Sequence, residues 1–202
     1  MSVGLAPLSP GYLAQSGCRR LTVPEFHNLI DTGFLAEDEK IQLLEGYMVP
    51  KMPPKPPHSN TVTRMIKKLI RILPDDWQLR SEQPITLAES EPQPDFTLAR
   101  GDDAAYQTCH PGPRDIGLVI EVTHSSLAVD RNDMGRIYAR AALSIYWIIN
   151  IVDRQVEVYT DPQPADAVPS YATRTDYKSG DSVPLVLDGQ VVAQVPVDEL
   201  LG

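Results

Sequence analysis

Glu121 lies in VIEVTHSS (119–126), inside an apolar run of Val119, Ile120 and Val122 that reads as a buried strand. A carboxylate there costs free energy unless it is paired or binds a cation. Asp95, in PQPDFTLA, is its natural companion, because Pro94 favours extended backbone and sets Asp95 at the head of a strand. Two carboxylates on neighbouring strands can converge on one Mg²⁺ or Mn²⁺, and Mg²⁺ commonly takes one or two protein carboxylates and keeps several waters. A metal so held can activate a water and stabilise the charge that builds on a phosphodiester in an in-line displacement. The structural alternatives are a satisfied core acid at Glu121 and a turn or cap at Asp95.

Glu45 is the third acidic candidate, at a strand end in LLEGYMV before a glycine that allows a tight turn; it reads equally as a solvated turn residue. His58 closes the proline-rich loop PKMPPKPPHSN, where it could cap the next helix or approach a phosphate. In TVTRMIKKLIRIL (61–73), Arg64, Lys67, Lys68 and Arg71 recur at i, i+3, i+4 and i+7. Four cations in register make a track that could follow a nucleic-acid backbone, and they equally describe an ordinary solvated helix face.

The elements that must position these groups follow from the apolar periods. LTVPEFHNLIDTGF predicts a helix with Thr22 as N-cap, Phe26, Leu29 and Ile30 as its apolar stripe, and Gly33 at its end. IQLLEGYMV predicts a strand, a turn at Glu45–Gly46 and a second strand. The helix over 61–73 turns Val62, Met65, Ile66, Leu69, Ile70 and Leu73 inward. WQLRSEQPITLA supplies a strand or two, and DFTLAR and GLVIEVT one each, the last the most buried. A helix from about Asp130 to Ala142 precedes the strands SIYWIINI and QVEVYT, and the last thirty residues form a hairpin turning at Asp188–Gly189 before a helical end at VDELL. This order describes a mixed α/β or α+β domain with one central sheet. A loosely held arm over 1–20 precedes a single domain over 21–202.

Bulk properties narrow the class. The chain has 202 residues, 42% hydrophobic and 22% charged, enough for one domain with a real core. No apolar run approaches the roughly 20 residues needed to span a bilayer. The N-terminus shows neither the charged start nor the long apolar stretch of a signal peptide, so the cytoplasm is the expected compartment. Cys18 and Cys109 make neither a disulfide framework nor a CxxC knuckle. A net charge of −9 argues mildly against generic nucleic-acid binding without excluding a local basic patch. Homodimers are common at this size.

Taken together these strings resemble the Uma-two family, within the restriction-endonuclease-like PD-(D/E)XK superfamily of nucleases. The likeness runs from about Leu21 to the C-terminus. It is carried by LTVPEFHNLIDTGFLAEDEKIQLLEGYMVPKMPPKPPHSN, by QPDFTLA, and most specifically by DIGLVIEVTHSSLAVDRNDMGRIYARAALSIYWIIN. The resemblance implies a four-stranded mixed sheet core flanked by helices, Asp95 and Glu121 as metal ligands, Glu45 as a further acidic group, and Mg²⁺-dependent hydrolysis of nucleic acid, DNA foremost.

One departure stands out. The superfamily wants a lysine near the scissile phosphate, and the slot two residues after the glutamate is Thr123 here. The Uma-two pattern instead places that lysine four residues before the tyrosine of the next helix, which gives Met134. No lysine occurs between Lys68 and Lys178. Arg131, three residues before Met134 and on its helix face, is the better surrogate. It could act only as an electrostatic clamp, and it reads equally as a salt-bridge partner of Asp130 or Asp133. The sequence therefore supports either an endonuclease or a catalytically weakened relative that binds nucleic acid or a protein. An oligomeric protein without a nucleic-acid role is the third reading.

Overall fold

The structure is a computed structural model, and it describes residues 19–36, 39–102 and 104–202. Cys18 and all of the expected arm except Arg19 and Arg20 lie outside the described residues; Cys109 is free and exposed.

The centre is a six-stranded sheet of β3 (Trp77–Ser81), β4 (Phe96–Arg100), β5 (Ile116–Thr123), β6 (Ile145–Asn150), β7 (Gln155–Gln163) and β8 (Ser170–Lys178), in that spatial order. β5 and β6 are parallel and every other neighbouring pair is antiparallel. A parallel pair needs a crossover connection. Here it is one run of helix: α3 (Leu127–Val129), a π-helical turn (Asp130–Met134) and α4 (Gly135–Arg140).

Alternation along the strands divides the core in two. Phe96, Leu98, Leu118, Ile120, Val122, Trp147 and Ile149 pack on Met65 and Leu69 of α2 (Pro56–Leu69). The hairpin of β9 (Ser182–Leu187) and β10 (Gln190–Pro196), with α5 (Val197–Leu201), covers the rest of that face. Val119, Tyr146 and Ile148 face the other way, onto Met134, Ile137 and Tyr138 of the crossover.

α1 (Val23–Asp31) begins as its sequence requires: Thr22 and Glu25 form a reciprocal capping box. A separate hairpin joins β1 (Ile41–Leu44) to β2 (Tyr47–Pro50). Its turn places Glu45 at φ 48° and Gly46 at φ 80°. A Cβ on Gly46 would meet the Arg20 side chain and the Leu21 carbonyl, so only glycine fits there.

Five expectations are corrected. α2 starts at Pro56 rather than Thr61, because Pro56 and Pro57 occupy the first helical turn, where no N–H is needed. It also ends at Leu69, leaving Ile70 61% exposed rather than inward. Ile30 is likewise exposed. β8 had no counterpart in the sequence reading: almost all of it is exposed, so it has no alternating apolar signal. The helix expected from about Asp130 begins at Leu127, and its middle is a π-turn.

Candidate active site

β4 and β5 pair with Phe96 opposite Ile120. One step further along this register, Asp95 and Glu121 stand opposite each other, on the same face of the sheet. Their contacts agree. The Asp95 N–H donates to Glu121 Oε2 at 3.3 Å, and the Val122 N–H donates to Asp95 Oδ2 at 2.7 Å. Both are buried, at 4% and 9% exposure.

Three elements close around the pair. From the first turn of α2, His58 Nε2 lies 2.9 Å from Asp95 Oδ2. The residue after β2, Lys51, places its Nζ 3.8 Å from Asp95 Oδ1 and donates to the Gln93 carbonyl at 2.7 Å. From the crossover, the Tyr138 hydroxyl donates to Glu121 Oε1 at 2.6 Å. Tyr138 is fully buried and held edge-on against Tyr146. The same crossover brings a third buried acid, Asp130, which accepts from Ser126 Oγ at 2.7 Å.

The electrostatics describe a buried site crowded with acidic groups. Burial, and then the charges of Asp95 and Asp130, push the Glu121 carboxyl well above the ordinary carboxylate range. Burial lifts Asp130 to about 6 against the hydrogen bonds of Ser126 and Thr123. The hydrogen bond to Asp95 raises His58, with burial opposing it. The chemistry of such a set suits a divalent cation. Two adjacent carboxylates with hard oxygen donors fit Mg²⁺ or Mn²⁺. Among the described residues, no three His, Cys, Asp or Glu side chains converge closely enough to hold one ion.

The other expected residues are distributed differently. Glu45 does not join the pair. Arg136 and Arg140 of α4 both bind its carboxylate, and its N–H donates to Ser90 Oγ. Burial raises the Glu45 carboxyl, but the two guanidinium groups more than offset it and leave it below the ordinary range. Arg131 grips Glu157 on β7 instead of Asp130 or Asp133, through Nε at 2.9 Å and Nη2 at 2.5 Å. Glu157 lies in the same cross-sheet row as Glu121, with Ile148 between them, so roughly 10 Å of sheet separates the two acids.

The basic helix face is divided. Lys68 pairs with Glu199 of α5, and Arg64 lies against the C-terminal Gly202. Lys67 and Arg71 are exposed. Lys67 is nine residues beyond His58, roughly 13 Å along the axis. Lys51 escaped the sequence reading, since PKMPPKPP carries no period that aims a side chain. Asp130 and Tyr138 were visible only as parts of the family-like block.

The family model described as Uma2, putative restriction endonuclease, matches residues 23–195. A solved structure described as a putative nuclease belonging to DUF820, from Anabaena variabilis ATCC 29413, is similar in fold, with a TM-score of 0.65 and 15% identity. The alignment covers 90% of this chain and 97% of that one. No curated protein matches the chain. The chain belongs to the Uma2 family of restriction-endonuclease-like nucleases.

Proposed function

We propose that this protein is a divalent-metal-dependent endonuclease that hydrolyses nucleic-acid phosphodiesters, with DNA as the foremost substrate and Asp95 and Glu121 as the metal ligands. The observation that carries the reading is the pairing of these two buried carboxylates, opposite in register and linked through the Asp95 N–H. Bound Mg²⁺ or Mn²⁺ supplies a Lewis acid for the charge that develops on the phosphodiester. The chain's own groups prepare the donors: Tyr138 fixes Glu121 Oε1, while Val122 N–H and His58 fix Asp95 Oδ2. With that oxygen engaged, Oδ1 is left for a cation. Exposed Lys67, on the same helix as His58, and exposed Arg71, in the turn just beyond its end, extend a basic surface away from the pair. In this proposal residues 21–202 act as one domain, in the cytoplasm and as a homodimer, and light scattering tests the assembly. Among the described residues, no helix is long and apolar enough to cross a membrane.

The test is cleavage of plasmid DNA and of RNA with Mg²⁺ or Mn²⁺, alongside a Mn²⁺ titration. Asp95→Ala and Glu121→Ala should each abolish cleavage and weaken Mn²⁺ binding. Unchanged Mn²⁺ binding in both variants would sink the assignment of the ligands. A second reading, the catalytically weakened relative, is favoured by Met134, which is buried among apolar neighbours where the resemblance expects a lysine. Mn²⁺ binding through both carboxylates without cleavage of either nucleic acid would select it.

A further inference from the structure

The hydrolysis proposed above wants a cation at the scissile phosphate, and neither expected slot supplies one. Thr123 is 1% exposed, with its hydroxyl 3.2 Å from Ser126 Oγ, and Met134 packs in the apolar cluster around Tyr138. The arginines of the crossover are committed elsewhere, Arg131 to Glu157 and Arg136 and Arg140 to Glu45.

Lys51 is placed differently. Its backbone N–H donates to the Lys40 carbonyl at 2.7 Å, which pins the chain just beyond β2. Its ammonium donates to the Gln93 carbonyl, two residues before Asp95, and stands 3.8 Å from Asp95 Oδ1. At that distance the two groups attract as charges without sharing a hydrogen bond. Among the described residues, Asp95 Oδ1 has no hydrogen-bond donor, whereas Oδ2 takes Val122 N–H and His58. An ammonium has three N–H donors, and Gln93 uses one. The Lys51 side chain keeps 20% exposure, so its stem is packed while solvent, or a substrate, still reaches it.

We propose that Lys51, from the connection between β2 and α2, takes the place of the lysine missing from β5 and from the crossover helix, its ammonium standing against a non-bridging oxygen of the scissile phosphate beside Asp95. This rests on the nuclease reading. In the hydrolysis, the water oxygen bonds to phosphorus as the bond to the leaving oxygen breaks. The water's proton passes to solvent, the leaving oxygen takes one from solvent, and Lys51 keeps its own protons. Its work is to offset the charge gathering on the phosphoryl oxygens.

The test compares wild type, Lys51→Met, and Lys51→Met combined with Met134→Lys, using Mn²⁺-dependent cleavage of labelled DNA and RNA, Mn²⁺ titration and thermal melts. Lys51→Met should lower kcat by about 100-fold, the scale of losing one preorganised charge-stabilising donor. Mn²⁺ binding should be unchanged or tighter, because a positive neighbour of the ligand Asp95 has gone. Met134→Lys in that background should restore part of the rate, since position 134 lies one helical turn from Tyr138, which touches Glu121. Full activity of Lys51→Met would overturn the proposal and leave the nuclease reading standing. Loss of cleavage together with weakened Mn²⁺ binding would also overturn it, making Lys51 a prop for Asp95. A wild-type protein that cleaves neither nucleic acid would remove the nuclease reading and Lys51's role with it.

Discussion

Arg131→Met separates an anchoring arginine from a catalytic one. Glu157 is wholly buried. It accepts two hydrogen bonds from Arg131, one each from Asn150, Gln155 and Tyr159, and has Arg174 Nη2 at 3.4 Å. Burial alone would raise its carboxyl, but these donors, Arg131 first among them, hold it at about 2 against an ordinary 4.5. That difference corresponds to about 3 kcal/mol. The carboxyl is depressed on folding, so the stabilisation is present above about pH 4.5 and is lost as pH falls toward 2. Removing one partner of a buried ion pair typically costs about 3–5 kcal/mol. Arg174 remains close to Glu157, which places the expected loss near the lower end, about 3 kcal/mol. For a protein of this size that is a fall in Tm of about 6–12 °C at pH 7. Calorimetry at pH 7 and urea melts at successively lower pH measure it, and the gap between variant and wild type should narrow in acid as Glu157 protonates. A Tm within about 2 °C of wild type at pH 7, with cleavage nevertheless lost, would refute the reasoning and return Arg131 to the chemistry.

Two further outcomes follow from the same structure. Asp130 is raised on folding from 3.8 to about 6, so its contribution is full below the unfolded value and is lost as pH rises through 6, about 3 kcal/mol in all. Melts of metal-free protein should therefore show stability falling over that window, less steeply in Asp130→Asn and less steeply with excess Mn²⁺; an unaltered slope in Asp130→Asn would discard the idea. Gly117 sits at the register shift between β4 and β5, and a Cβ there would lie 2.6 Å from the Trp77 ring and 2.8 Å from a Leu187 methyl. Gly117→Ala should cost about 1–3 kcal/mol by overpacking, read as a lower urea midpoint at unchanged m-value.

Much of the fold was legible because its signals are local. The N-cap at Thr22, the turn at Glu45–Gly46 and the apolar run around Glu121 each announce themselves within a few residues. The prolines before His58 misled, since the same residue breaks a helix from within and begins one at its first turn. That error mattered, because a helix starting at Pro56 aims His58 at Asp95, where a loop would have left it undirected.

By itself, the sequence determined that a buried strand would carry a glutamate, that an aspartate would open a neighbouring strand, and that the usual lysine positions would be empty. Only the tertiary structure decided the partners. Strand register set Asp95 against Glu121, and the crossover delivered Tyr138 to Glu121 and Arg131 to Glu157. The hairpin turn gave Glu45 to two arginines, and the chain leaving β2 carried Lys51 to Asp95. The physical reason is one of range: backbone preference and apolar period act over a few residues, whereas a buried charge settles on whichever opposite charge the packing brings within a few ångströms.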